Sequence, residues 1–185
     1  SEGSGNLAPA KPGKKLYPPV TENASNYSGW YLCGNQRLDP FILTSDKIFL
    51  SMGTNDVTDT TFNLGTPNDT PYLDTTASRP AVLTWASCYR GCIDMLQRDY
   101  PTKEIILVTI LNTRTTPIVS GSVTRAQFMS ELIMQVGRNE NLNTVDWYYG
   151  TPSTPNNNVA FADDSVHPTK NLAKYMVDAI GRDLL

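Results

Sequence analysis

The sequence holds a single histidine, His167, inside the run D-S-V-H-P-T from Asp164 to Thr169. An imidazole can take a proton from a nucleophile and return it to a leaving group when a carboxylate fixes its tautomer and stabilises the cation that forms. The three-residue separation of Asp164 and His167 in a turn lets the carboxylate reach one ring nitrogen while the other faces a cleft. A lone histidine also occurs as a structural or surface residue, so this motif by itself leaves both readings open. The second chemical feature is G-T-N-D, Gly53 to Asp56, which follows the apolar run KIFLSM directly. An asparagine presented just after a strand is placed to donate its side-chain amide to a developing oxyanion. The same residue types also make ordinary turns. The third is N-A-S-N-Y-S-G, Asn23 to Gly29, where Gly29 could bring a backbone N–H close to a ligand or simply sit in a loop.

Positioning such groups requires rigid elements, and the hydrophobic pattern supplies them. Lys47–Met52 and Glu104–Ile110 are short apolar runs of the kind buried in parallel sheets, and Val145–Tyr149 is a third candidate strand. A weak first strand is expected to end near Val20 and Thr21. Between Ala81 and Asp99, the residues Val82, Trp85, Cys88, Tyr89, Cys92, Ile93 and Leu96 recur at three- and four-residue spacing, a core-facing helical stripe that Pro101 stops. Thr124 reads as the N-cap of a helix to about Gly137 with Phe128, Leu132, Ile133 and Val136 inward. Thr169 to Leu184 reads as a last amphipathic helix using Leu172, Tyr175, Met176 and Ile180. Strands alternating with helices predict an α/β fold with a mainly parallel sheet. Residues 1–19 read as a flexible arm or linker ahead of one domain spanning 20–185. The Thr-, Asp-, Asn- and Pro-rich segment Val57–Pro80 is either a surface excursion or a substrate-facing loop.

Composition narrows the function classes. The 185 residues carry a formal net charge of -3, and Lys11, Lys14 and Lys15 form the only local basic cluster, beside Pro9, Pro12 and Gly13. That is no footprint for nucleic acid, which needs grouped Lys and Arg. No apolar stretch approaches the roughly 18 residues that a membrane helix requires. Cys33, Cys88 and Cys92 make an odd count, and with one histidine they do not form a zinc ligand set, so neither metal nor cofactor is expected.

Together and in this order, the three motifs resemble the SGNH hydrolase superfamily, also called GDSL lipases and esterases, over about residues 20 to 185. That family carries a Ser in G-D-S near its start, a Gly block, G-x-N-D, and D-x-x-H near its end. Gly29 matches the Gly block, Asn55 the Asn, Asp164 the Asp and His167 the His. The helix leading into Tyr100-Pro101 and the apolar strand with Thr109 resemble the family's middle section. The resemblance implies a flavodoxin-like three-layer fold and a serine hydrolase in which His167 is the base, Asp164 orients it, and Gly29 and Asn55 form the oxyanion hole.

The first block departs from the pattern. Ser1 and Ser4 precede the proline-rich arm, and neither follows an apolar strand that could hold a nucleophile at a sheet edge, which leaves Ser4 as the weaker candidate nucleophile within the chain. The expectation is that the first strand and its serine come from a separate segment or a second chain, because a sheet lacking that strand exposes apolar edges. The expected substrate is a short acyl ester, an acetyl group on a carbohydrate, with Trp30, Tyr31 and Tyr72 as aromatic candidates for a sugar site or as ordinary packing. Lysophospholipase or thioesterase action shares the machinery, but no apolar lid is evident. The alternative is a catalytically silent glycan-binding or structural module of the phage tail or capsid kind. A secreted or virion-associated location fits either reading.

Overall fold

A computed structural model of the chain describes residues 44–60, 63–72, 84–162 and 167–185. The arm 1–19, the first strand expected near Val20, and Ser4, Gly29, Trp30, Tyr31, Cys33 and Asp164 lie outside the described residues. By backbone contacts the chain divides into two units, one of residues 1–48 and 61–105, the other of 49–60 and 106–185.

In the first unit the dominant element is helix α1, Trp85–Asp99. Thr84 caps it reciprocally: the Ser87 N–H donates to Thr84 Oγ1 at 3.1 Å, and the Thr84 N–H donates to Ser87 Oγ at 3.2 Å. Two further first-turn donors, which no helix can satisfy internally, go to the preceding segment: Trp85 N–H to Asn63 O and Ala86 N–H to Leu64 O, both at 3.0 Å. The segment 63–72 is thus laid against the start of α1. Of the expected stripe, Trp85, Cys88, Tyr89, Cys92, Ile93 and Leu96 are all buried, whereas Val82 lies outside the described residues and the helix begins at Trp85 rather than Ala81, after its Thr84 cap. Each such large apolar side chain contributes about 1.5–3 kcal/mol of burial. Trp85 and Tyr89, one turn apart, stack with ring centroids 4.9 Å apart. The helix ends at Tyr100, whose N–H still donates to Leu96 O, before Pro101.

The sheet has the strand order β1 (Lys47–Ser51), β2 (Glu104–Val108), β5 (Asn143–Val145), and the second unit holds Phe49–Ser51 of β1, Ile106–Val108 of β2 and all of β5. β2 pairs parallel to β5 with Ile106, Leu107 and Val108 opposite Asn143, Thr144 and Val145. A parallel pair needs a crossover, and helix α2, Arg125–Glu140, lies in it. As expected, Thr124 is its N-cap, accepting from the Gln127 N–H at 3.2 Å. Asn141 ends it in the left-handed conformation, and the Leu142 N–H reaches back to Gly137 O at 2.8 Å. A short hairpin of β3 (Ile118–Ser120) and β4 (Val123–Thr124) precedes α2. After β5 come the one-turn helix α3, Asn158–Phe161, and the final helix α4, Lys170–Leu184.

Alternate residues of β5 face different helices. Thr144 comes against Gly137 on α2, whereas Val145 joins Ile106, Val108 and Ala179 of α4 in one apolar cluster flanked by Trp147, Ile180 and Leu184. Since successive strand residues point to opposite faces, α2 and α4 cover the two sides, giving the expected α/β/α layering.

Three expectations need correction. The third strand spans Asn143–Val145, two residues earlier than Val145–Tyr149, because residues 146–149 leave the sheet to turn around Thr109. Phe128 is only half-buried, and its neighbour Met129 takes the core position. Tyr175 is exposed and rests edge-on against Phe161 at 6.0 Å, while Ala179 fills the place nearest the sheet.

Candidate functional site

Asn55 sits where the sequence places it, on the turn that leaves β1. Gly53 adopts φ 107°, a conformation open to glycine and strained for other residues. Its carbonyl accepts from the Asp56 N–H at 2.9 Å and the Val57 N–H at 3.1 Å, so the strand runs into a single 3-10 turn, Asp56–Thr58. Buried Asp56 and Val57 anchor that turn. Asn55 occupies its N-cap position, yet the side chain makes no capping hydrogen bond and is half-buried. An N-cap asparagine ordinarily spends its side chain on the helix it starts.

Two arginines from elsewhere in the second unit brace the turn. The Arg114 guanidinium, on the loop after β2, donates to Thr54 O, fixing the peptide that leads into Asn55. Arg125, the buried first residue of α2, lies near the carboxylates of Asp59 and Asp56; burial lowers its guanidinium from the ordinary value, and the two carboxylates act against that. Neither arginine was singled out from the sequence. Each stands in a polar loop or at a helix start, where Arg is common for many reasons.

His167 is exposed and stands three residues before α4. The segment around it is pinned to α3: Ala162 and Pro168 form an antiparallel bridge, the Thr169 N–H donates to Phe161 O at 2.8 Å, and the Thr169 hydroxyl donates to Ala160 O at 3.2 Å. The last turn of α4 meets the end of β5, where the Asp146 N–H donates to Asp183 Oδ2 at 2.9 Å. With a rise of about 1.5 Å per residue, Lys170 at the helix start is about 20 Å along the axis from that contact. The structure therefore gives Asn55 and His167 their local frames within the second unit, whereas Asp164 and Gly29 fall outside the described residues.

Of the loop expected between Val57 and Pro80, residues 57–60 belong to the turn after β1 in the second unit, whereas residues 63–72 are a built feature of the first unit. Asp69 accepts from the hydroxyls of Thr66 and Thr84, and its carbonyl accepts from Arg90. Burial acts to raise the Asp69 carboxyl, but these hydrogen bonds and the Arg90 charge outweigh it and hold the group below its ordinary value. Tyr72, an aromatic candidate from the sequence, lines a cavity of about 510 Å³ there with Asp69, Pro71, Thr84 and Ser87. Such a volume lies in the range of about 300–1,000 Å³ usual for small-molecule sites. Cys88 and Cys92 are buried on α1 and form no disulfide. Among the described residues no group of three or more His, Cys, Asp or Glu could hold a metal ion, and no helix is long and apolar enough to cross a membrane.

In sequence, no family model and no curated protein matches the chain. Solved structures do. A peptidoglycan O-acetylesterase aligns over 80% of this chain at 14% identity with a TM-score of 0.52, and the chain spans 39% of that protein's length. A protein from Parabacteroides merdae described as a GDSL-like lipase aligns over 83% of this chain and 68% of its own, at 16% identity and a TM-score of 0.55. A protein from Chitinophaga pinensis described as a possible lipase aligns over 85% of this chain and 81% of its own, at 15% identity and a TM-score of 0.50. Identities this low speak for the path of the backbone rather than for chemistry. The chain has the α/β fold of the SGNH/GDSL hydrolases.

Proposed function

We propose that the chain is the greater part of a serine esterase of the SGNH type, acting on a short acyl ester, an acetyl group carried by a carbohydrate. The observation that carries this reading is the turn at Asn55: a half-buried asparagine at the carboxyl end of a strand, braced through Thr54 by Arg114, whose side chain is not spent on capping. Preorganised donors of this sort stabilise charge that develops in the transition state without reorganising. In the proposed mechanism His167 takes the proton of the attacking serine and returns it to the leaving alcohol. Asp164 holds the imidazole in the productive tautomer, and Asn55 Nδ2 with the Gly29 N–H and the serine's own N–H hold the tetrahedral oxyanion. The nucleophilic serine belongs to a segment that supplies the first strand, from a separate stretch or a second polypeptide. The O-acetylesterase among the structural neighbours supports an acetyl ester as the first substrate to try.

The test is labelling by a serine-directed fluorophosphonate, followed by mapping of the labelled peptide. The proposal expects a labelled serine in the protein as purified from its source, with labelling lost in His167→Ala. Labelling that persists in His167→Ala, or none in a sample with any partner polypeptide retained, would leave a silent glycan-binding or structural module as the better account.

A further inference from the structure

Beyond the ester chemistry, we propose that the groove at the carboxyl end of β5 binds a neutral saccharide, with the ring of Tyr149 as its stacking platform. The groove is a shallow depression of about 500 Å³, widely open to solvent, and is lined by Thr144, Asp146, Tyr149, Gly150, Arg182 and Asp183. None of these belongs to the site assigned from the sequence.

Tyr149 is 54% exposed, which for a large aromatic side chain ordinarily means a mobile surface group. Here it is fixed from three directions. Its hydroxyl donates to Glu131 Oε1 at 2.7 Å, its N–H donates to Asp146 Oδ1 at 3.1 Å, and its ring meets the ring of buried Tyr148 edge to face at 4.8 Å. The phenol is pushed up to about 12 by partial burial and by its bond to the Glu131 carboxylate, so it remains a neutral donor to that partner. A rigid, open aromatic face loses little conformational entropy when a ligand covers it.

The polar rim is equally set. Arg182 grips Asp183 with two bonds, Nε to Oδ1 at 2.6 Å and Nη2 to Oδ2 at 2.8 Å, and its outer nitrogens face the carbonyls of Gly150 at 3.5 Å and Asp146 at 3.4 Å. Gly150 leaves the wall between them bare, since a Cβ at that position would overlap the Asp146 carbonyl and the guanidinium. An aromatic face flanked by carboxylate acceptors and a planar donor matches a sugar ring, with its apolar C–H face and its rim of hydroxyls. Two carboxylates against one guanidinium leave the rim net negative. That favours an uncharged sugar over a uronate or a phosphorylated one, which like charges would repel.

The inference stands on its own residues and does not require the chain to hydrolyse an ester. It is tested on the full chain by ¹H–¹⁵N NMR titration with chitotriose and cellotriose as neutral probes and trigalacturonate as the anionic one. The expected result is saturable shifts centred on Tyr149, Gly150 and Arg182 with a neutral trisaccharide. Affinity should weaken about tenfold or more in Tyr149→Ala and survive in Tyr149→Trp. A melting curve and backbone spectrum for each variant separate lost binding from lost folding. Absence of shifts with both neutral sugars, equal or tighter binding of trigalacturonate, or unchanged affinity in a folded Tyr149→Ala protein would overturn it. Fluorophosphonate labelling is scored separately, so saccharide binding in a sample that stays unlabelled with any partner polypeptide retained supports this groove while removing the esterase reading.

Discussion

Thr109 Oγ1 donates to Asp146 Oδ1 at 3.0 Å while accepting the backbone N–H groups of Trp147 at 2.8 Å and Tyr148 at 2.9 Å. One hydroxyl at the end of β2 thereby sets the direction in which the chain leaves β5, and with it the placement of Tyr149. Removing it strands two N–H groups in a part-buried setting, where each unmet donor costs about 1–3 kcal/mol. Thr109→Val, nearly isosteric, is expected to lower stability in urea by about 2–4 kcal/mol. Thr109→Ser should recover most of that loss. An unchanged midpoint in Thr109→Val would mean that the turn is held by other contacts.

The start of α1 offers a second check. Thr84 is both a cap and a ligand of Asp69. Thr84→Ala should cost about 1–2 kcal/mol through loss of the cap, with Thr84→Ser close to wild type. Thermal or urea unfolding measures both, and a fall confined to a few tenths would show that the backbone of Asn63 and Leu64 satisfies the helix start unaided.

Acid should weaken both units. Asp69 and Asp183 are held below the ordinary carboxylate range: burial pushes each upward, but hydrogen bonds from Thr66 and Thr84 in one case, and from Arg182 and the Asp146 N–H in the other, prevail. A carboxyl whose native pKa lies below its unfolded value contributes its stability fully above the unfolded value, about 4. That contribution is lost as pH falls through the lowered native value. Unfolding free energy should thus decline from about pH 5 downward, and less steeply in Asp69→Asn or Asp183→Asn than in the parent. Parallel pH profiles for all three proteins would refute the assignment.

Asn55→Ala provides the functional counterpart. Loss of one oxyanion donor typically costs about 10²- to 10³-fold in turnover. The rate of fluorophosphonate labelling, or of acetyl-ester hydrolysis where it is found, should fall by that order. The melting temperature should barely move, because the Asn55 side chain does not cap the 3-10 turn. A large drop in stability with unchanged rate would make Asn55 a structural turn residue instead.

The parts of this fold that could be read in advance were those written in local pattern. α1 announced itself by six residues in a helical stripe, α2 by Thr124 and its apolar side, and the strands around Leu50 and Leu107 by short unbroken apolar runs. The end of β5 was misread because Trp147, Tyr148 and Tyr149 look like strand residues. What takes them out of the sheet is a hydroxyl 38 to 40 positions earlier in the chain, which no local window contains. Tyr175 misled for a related reason: helical periodicity says that one side is apolar but not how far the sheet reaches along it. Of the site, the position of Asn55 at a strand end was legible because β1 and the glycine turn adjoin in sequence. The bracing by Arg114 and Arg125 was not, since it depends on loops meeting from distant stretches.

Gly150 has an evolutionary corollary. Because a side chain there would overlap both a backbone oxygen and the Arg182 guanidinium, positions 150 and 182 are not free to drift separately. Glycine can be replaced only if residue 182 shortens and the peptide after Asp146 shifts, so the two positions should covary among homologues, with glycine retained wherever arginine is. A mutational scan of position 150 in the Arg182 background should tolerate nothing larger than hydrogen, and an Arg182→Ala background should reopen only part of that space, the Asp146 carbonyl still standing in the way.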